Sequence, residues 1–222
     1  MGGGARRLWV SILPGGQPIG RRSDRRAGLA FVGRVDRQPV TRPLRMTLKL
    51  PDTGAEVLPD GRRMVPSAAR NAGPILQVLQ GLGLKGRLLE IASGSGLHAA
   101  QMAGPLGLIW QPTDVEPANF ASITAWAGTS AAAIQPPLPL DATQPGWAAR
   151  LGVWDAILLV NLLHLISTPA AAALLAELGA ALVPHGTACL YGPFLRDGQA
   201  TSPGDAAFDA SLRAQDPAIG YK

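Results

Sequence analysis

The sequence has little of what several protein classes require. Cys189 is its only cysteine, which excludes an internal disulfide framework and a cysteine-built zinc site. No apolar run reaches the roughly 18–20 residues that a membrane-spanning helix needs. Aromatic residues make up only 5% of the chain, and no basic stripe runs through the tryptophans as in a base-stacking surface. We therefore expect a cytoplasmic protein with no metal site, no membrane partner and no nucleic-acid partner.

Positive charge is concentrated at the start of the chain. The formal net charge is +5, but residues 1–45 hold ten arginines and two acids, so the remaining residues carry a net charge of −3. This Arg-, Gly- and Pro-rich stretch has only LWVSIL (8–13) and AFVG (31–34) as apolar patches. It buries too little to offset the entropy of ordering, so we predict a disordered extension. It resembles a targeting peptide in composition, but the favoured interpretation is that Met46 is the true start of a domain spanning 46–222.

From residue 67, short β-rich runs alternate with helical stretches. This alternation is typical of a parallel sheet with helices on both faces, and 222 residues suffice for one such domain. A first helix is predicted with Pro74 in its first turn, and later helices begin at Ser167 and Ser202. The predicted fold is an α/β, Rossmann-like sheet of five strands, at GRLLEIA (86–92), LIWQPTD (108–114), a run ending at LPLD (138–141), WDAILLVN (154–161) and TACLY (187–191).

A glycine-rich loop follows the first of these strands. Gly94 and Gly96 stand between the strand and a predicted helix, where glycine allows a close approach of the backbone to a ligand and the helix start offers free N–H groups. The loop alone is ambiguous, because Gly94-x-Gly96-x-x-Ala99 also fits a dinucleotide fingerprint, with Asp114 at the expected distance.

Acidic residues close three successive strands and favour S-adenosylmethionine (SAM) over a dinucleotide. Glu90 is expected to face the pocket, where a carboxylate repels a pyrophosphate and suits the cationic methionyl group. Asp114 is placed to accept the ribose hydroxyls, and Asp141 to meet the adenine amino group. A helix N-cap is the alternative for each acid taken singly. The predicted cofactor-binding set is Glu90, Ala92, Ser93, Gly94, Gly96, Asp114, Asp141 and Asn161.

Candidates for the chemistry follow the fourth and fifth strands. His164 is either a general base or a histidine hydrogen-bonded within its loop. Tyr191 is either part of a wall around the methyl donor, together with Phe194, or a packing residue. Asn161 is expected to hold backbone or the methionyl group.

Four other polar residues are less clearly assigned by the sequence. Arg70 and Asn71 precede the first predicted helix and either close the site over an anionic substrate or form a surface salt bridge. His98 and His185 have no evident partner in the sequence and are predicted to be surface or turn residues.

The sequence resembles an uncharacterised methyltransferase-like family within the class I SAM-dependent methyltransferases. The resemblance spans nearly all of 66–217 and includes EIASGSGLHAA (90–100), YGPF (191–194) and TSPGDAAFDASLRAQDP (201–217). It implies the class I fold and the use of SAM, but it does not indicate which substrate is methylated. Two features depart from the class: Ala92 stands where the usual loop has glycine, and the C-terminal β-hairpin is missing, so a C-terminally truncated sheet is expected.

The combined prediction is a SAM-dependent methyltransferase that acts on a small molecule. One alternative is an NAD(P)-dependent oxidoreductase, against which Glu90 and the absence of a Tyr-x-x-x-Lys pair both count. The other alternative is a non-catalytic SAM-binding protein.

Overall fold

A computed structural model describes residues 8–12, 18–23 and 54–222 of the chain. Strands and helices alternate through most of this length, and Leu163–Leu165 forms a short 3₁₀ turn. The strands are β1 Leu8–Ile12, β2 Pro18–Ser23, β3 Glu56–Val57, β4 Arg63–Met64, β5 Arg87–Ile91, β6 Ile109–Asp114, β7 Leu138–Pro139, β8 Trp154–Val160 and β9 Leu182–Tyr191. The helices are α1 Pro66–Gly81, α2 Leu97–Leu106, α3 Asn119–Ala127, α4 Trp147–Leu151, α5 Thr168–Ala181 and α6 Pro203–Gln215.

The main sheet has the strand order β2-β1-β9-β8-β5-β6-β7. The five predicted strands are its members β5 to β9, all paired in parallel, which confirms the α/β, Rossmann-like prediction. Helices connect these strands, as parallel pairing requires. The carboxyl ends of β5, β6, β8 and β9 therefore lie along one edge of the sheet.

Successive side chains of the central strands point to opposite faces of the sheet, and they divide the core into two layers. Leu89 and Ile91 of β5 pack on the face covered by α4 and α5, with Leu174 and Leu178. Leu88 packs on the opposite face, where α1 and α2 contribute most of the apolar side chains. Both faces are covered, which explains why β8 is apolar in sequence at every position except Asp155. Four tryptophans are buried: Trp110, Trp126, Trp147 and Trp154.

The expectation of a disordered extension over 1–45 is wrong for two segments. Leu8–Ile12 and Pro18–Ser23 form an antiparallel pair, and the first of them pairs in parallel with β9 from Thr187 to Tyr191. The outer edge of β9, expected to lack a partner, is thus covered, and the sheet has seven strands rather than five. An unpaired edge presents free N–H and C=O groups, and the apolar run LWVSI suits a strand that satisfies them. The expected start at Met46 lies outside the described residues.

Some element boundaries also differ from expectation. Helix α1 begins at Pro66, so Pro74 lies in its interior rather than its first turn and gives no N–H to the carbonyl of Arg70. Strand β9 begins at Leu182 and not at Thr187. The predicted caps of the later helices are confirmed, since Ser167 and Ser202 each accept a backbone N–H of the first turn.

The last helix and the residues after it fold back over the 3₁₀ turn. Leu212, Ile219 and Tyr221 form a small apolar cluster. The Lys222 ammonium donates hydrogen bonds of 2.8–2.9 Å to the backbone carbonyls of Leu163, Ile166 and Gly220. This region becomes one wall of the cavity described below. Within the described residues, no helix has both the length and the apolar character to cross a membrane.

Candidate functional site

A cavity of about 740 Å³ opens at the carboxyl ends of β5 and β8. The glycine loop, residues 92–95, forms its floor, and α1 forms the wall opposite, between Pro66 and Asn71. The end of β8 and the 3₁₀ turn form a third wall, which Phe208 of α6 extends. The cavity therefore lies where open α/β sheets bind ligands, at the strand ends and against a helix start.

The glycine loop has a left-handed backbone at three positions. The φ angles are 56° at Ala92, 58° at Gly94 and 87° at Gly96. No atom lies within 4 Å of the place where a Cβ on Gly94 would stand, so this glycine leaves open space above the loop. A Cβ on Gly96 would lie 2.6 Å from the Cα of Ile123, so this glycine allows α3 to approach α2 closely. Of the two predicted ligand-contacting glycines, only Gly94 lines the cavity.

Asp114 holds the loop in place. Its Oδ2 accepts the N–H of Gly94 at 2.8 Å, and its Oδ1 accepts the N–H of Glu116 at 2.9 Å. The loop is tied to the same strand at Ser93, whose N–H donates to the carbonyl of Thr113 at 2.8 Å and whose Oγ accepts the N–H of Thr113 at 3.1 Å. Asp114 is buried and does not line the cavity, so its contact with ribose hydroxyls stays a prediction.

Glu90 does not face the cavity as expected. It is 1% exposed, and its Oε2 accepts the indole N–H of Trp110 at 2.9 Å. Its Oε1 lies 3.6 Å from Nδ1 of His98. The physical reason is strand alternation, which turns Glu90 to the same face as Leu88, under α1 and α2. The carboxylate therefore contacts Trp110 and His98 in the core and does not reach the cavity.

His98 was predicted to be a surface or turn residue, and this is wrong. It is 6% exposed, its Nε2 is hydrogen-bonded to Oδ1 of Asn71 at 2.7 Å, and it lines the cavity together with Asn71. Sequence reasoning missed this cluster. Two features of the sequence indicate it. Side chains alternate along a strand, so Glu90 shares the face of Leu88, and His98 lies in the first turn of a helix that packs on that face. His185 is exposed, as predicted.

Asp141 accepts hydrogen bonds within its own turn. Its Oδ1 accepts the backbone N–H of Thr143 at 3.0 Å and the hydroxyl of the same residue at 2.6 Å. Gln144 donates to Oδ2 at 3.3 Å. This is the local capping alternative for a strand-end aspartate. Asp141 does not line the cavity, and its predicted contact with adenine stays untested.

Asn161 does line the cavity. It follows directly after β8, with a left-handed φ of 55°, and its N–H donates to the carbonyl of Tyr191 at 2.8 Å. Asn161 and Ala92 are thus two non-glycine residues in left-handed conformations at two neighbouring strand ends of one cavity. Such conformations cluster where a backbone is shaped for a ligand.

His164 lies in the third wall and is 6% exposed. Its ring packs edge-on against Phe208 and Tyr221, with centroids 5.8 and 6.1 Å away. Burial, together with the positive charge of the nearby Lys222 ammonium, lowers the pKa of His164 to about 4. The imidazole is therefore neutral at neutral pH. Neither ring nitrogen has a hydrogen-bond partner among the described residues, so the alternative of a histidine bonded within its loop is not supported.

Tyr191 is 7% exposed and closes β9. Burial raises the pKa of its phenol, and the positive charge of Arg70 acts in the opposite direction. Tyr191 packs in the core layer with α1 and α2 and does not line the cavity, which favours the packing interpretation.

The charge of the cavity wall is positive. Arg63 and Arg70 are its two permanently charged residues, and the lining contains no aspartate or glutamate among the described residues. Arg63 donates to Oδ1 of Asn119 and, from its backbone, to Oγ of Ser122 at 2.9 Å. Arg70 forms no hydrogen bond or ion pair within the part of the chain that the structure describes.

The fold is that of the class I methyltransferases. An O-methyltransferase family protein from Burkholderia thailandensis superimposes with a TM-score of 0.56 at 17% identity, over 70% of this chain and 48% of that one. A proposed O-methyltransferase from Nostoc punctiforme PCC 73102 gives 0.53 at 21% identity, over 68% and 46%. The CMeT domain of the citrinin polyketide synthase gives 0.51 at 16% identity, over 67% and 40%. The chain thus spans less than half the length of each of these proteins.

Residues 62–222 match the family described as "protein of unknown function (DUF938)". This match covers most of the chain and all of the cavity lining except Gly54. The chain belongs to this family.

Proposed function

We propose that this chain is a SAM-dependent methyltransferase that acts on a small molecule. The observation that carries the proposal is the open space above Gly94, at the end of β5, in a loop that Asp114 holds in a left-handed conformation. A backbone without side chain at that point lets a ligand lie directly on the loop. The cavity of about 740 Å³ has room for a donor and a small acceptor together.

Two residues around this space, His164 and Asn161, suit SAM. When bound, SAM supplies a methyl group made electrophilic by its positive sulfonium. A protonated histidine in the wall would repel that charge, whereas His164 is neutral because burial lowers its pKa to about 4. The left-handed Asn161 lines the same cavity at the end of the neighbouring strand β8, and we propose that it holds the methionyl group.

His164 is proposed to orient the acceptor rather than to act as a strong base. A group with a pKa of about 4 binds a proton weakly at neutral pH, and general-base catalysis is most efficient near the working pH. A neutral imidazole nitrogen can still accept a hydrogen bond from the acceptor's hydroxyl or amino group and align its lone pair. Alignment in a dry pocket contributes a large part of such an in-line displacement. The cytoplasmic location and the small-molecule acceptor remain predictions.

The test is calorimetric titration of the full chain with S-adenosylhomocysteine (SAH) and, separately, with NAD. Gly94→Ala places a methyl group in the open space and should weaken SAH binding about tenfold or more, through steric exclusion of the ligand. Gly107→Ala is the matched control, because Gly107 also has a left-handed φ, of 63°, and open space around it, but does not line the cavity. Both variants bear the same backbone cost of about 1–2 kcal/mol.

Equal SAH affinity in the wild type and in Gly94→Ala would contradict the proposed position of the donor. Binding of NAD without binding of SAH would favour the oxidoreductase alternative instead.

A further inference from the structure

One cation in the cavity wall, the solvent-exposed Arg70, has no protein partner among the described residues. Arg70 lies in α1 and lines the cavity, and no described residue accepts a hydrogen bond from it or pairs with its charge. No carboxylate stands in the described lining to compensate it. The other wall cation, Arg63, already donates to Asn119. An arginine at a cavity wall presents a planar set of donors that matches an oxyanion.

Arg70 stands on α1, which lines the cavity between Pro66 and Asn71, and not on the glycine loop that follows β5. Its side chain is exposed to solvent. Its positive charge also acts on the phenol of Tyr191, which closes β9.

The same cavity offers a neutral imidazole and an apolar surface. His164 lines it with an unpartnered ring that is 6% exposed, and Phe208 packs against that ring at 5.8 Å. Leu165 and Pro193 add apolar surface beside them. A ligand suited to this arrangement has an apolar body, one hydrogen-bond donor and one negative end.

We propose that Arg70 binds a carboxylate or phosphate oxyanion of the methyl acceptor, whose body packs against Phe208. This inference rests on the proposed methyltransferase function, and it adds the chemical class of the acceptor. The oxyanion neutralises Arg70, while the acceptor's nucleophilic atom faces Asn161 and His164. The acceptor is thus a small organic anion.

The test uses benzoate, its uncharged analogue benzamide and inorganic phosphate as probes of the full chain saturated with SAH. Benzoate should bind at least about tenfold more tightly than benzamide, and phosphate should compete with it. Arg70→Met should reduce the affinity for benzoate about tenfold or more while the affinity for SAH is unchanged, which also shows that the variant is folded. Arg150→Met is the matched control, an exposed arginine of α4 outside the cavity lining.

Three results would overturn the proposal. The first is equal benzoate affinity in the wild type and in Arg70→Met, and the second is no binding of benzoate or phosphate to the wild type. The third is weaker SAH binding in Arg70→Met with unchanged binding of 5′-methylthioadenosine, which would assign Arg70 to the carboxylate of the donor. Failure of the wild type to bind SAH would instead contradict the proposed function, and titration of the SAH-free chain with benzoate would then test the oxyanion site alone.

Discussion

The imidazole Nε2 of His98 and the Oδ1 of Asn71 lie 2.7 Å apart, in a buried hydrogen bond that joins α2 to α1. The other ring nitrogen lies 3.6 Å from the buried carboxylate of Glu90. Three residues from two helices and one strand thus form a polar cluster, of which Asn71 and His98 belong to the cavity wall. Such a cluster fixes the position of α1 over the glycine loop only if its members remain paired.

His98→Leu should lower the free energy of unfolding by about 1–3 kcal/mol. The substitution removes the partner of Asn71 and leaves the buried Glu90 carboxylate with the Trp110 indole as its hydrogen-bond donor. Urea unfolding measures the effect. His185→Asn is the control, because His185 is exposed and asparagine tolerates its left-handed φ of 67°. An unchanged midpoint in His98→Leu would show that the cluster contributes nothing to stability.

Ala92→Gly should leave the stability unchanged or raise it by up to about 1 kcal/mol. The φ of 56° strains an alanine, and glycine removes that strain while adding entropy to the unfolded chain. Ala99 lies at a buried position of α2 and has no backbone strain to relieve. Ala99→Gly should therefore lower the free energy of unfolding by about 1 kcal/mol. Thermal melts of the two variants compare the positions directly. A loss in Ala92→Gly as large as in Ala99→Gly would contradict the assigned strain.

His164 should make the stability fall in mildly acidic solution. Its pKa is about 4 in the folded protein against an ordinary 6.5, so the unfolded chain takes up the proton first as the pH falls. The contribution of the neutral imidazole to the free energy of unfolding is complete above about pH 6.5 and is lost between there and about pH 4. The loss amounts to about 2 kcal/mol at pH 5. Urea unfolding measures the difference in unfolding free energy between pH 7 and pH 5. This difference should be smaller in His164→Gln than in the wild type by that amount. Equal differences in both proteins would place the imidazole in a more exposed environment.

Deleting residues 1–45 removes the two strands that extend the sheet beyond β9. The deletion should lower the melting temperature and cause concentration-dependent association, because the edge from Thr187 to Tyr191 loses its partner. Deleting only residues 1–7 retains both strands and is the control. Light scattering coupled to gel filtration, with thermal melts, measures both effects. A monomeric deletion variant with the wild-type melting temperature would show that the pairing with β1 adds no stability.

The class of fold could be predicted from the sequence because parallel strands have a local signature. The run WDAILLV is apolar except at Asp155 since helices cover both faces, and a serine with proline nearby starts each of the last two long helices. The N-terminal strands could not be predicted in the same way. The apolar run LWVSI stands within an Arg-, Gly- and Pro-rich stretch, and it is the free edge of β9, 179 residues away in the chain, that gives Leu8–Ile12 a partner.

The sequence by itself determined the glycine loop, the strand that precedes it and the acids that close the neighbouring strands, since these depend on local chemistry along the chain. The tertiary structure decided where each acidic side chain points. Alternation and packing turned Glu90 toward His98, hydrogen bonding committed Asp114 to Gly94, and a local turn engaged Asp141. It also brought Arg70 and His164 to one cavity, from segments that are far apart in the chain. Proximity of that kind results from the packing of α1 and α6 over the sheet edge, and no spacing in the sequence encodes it.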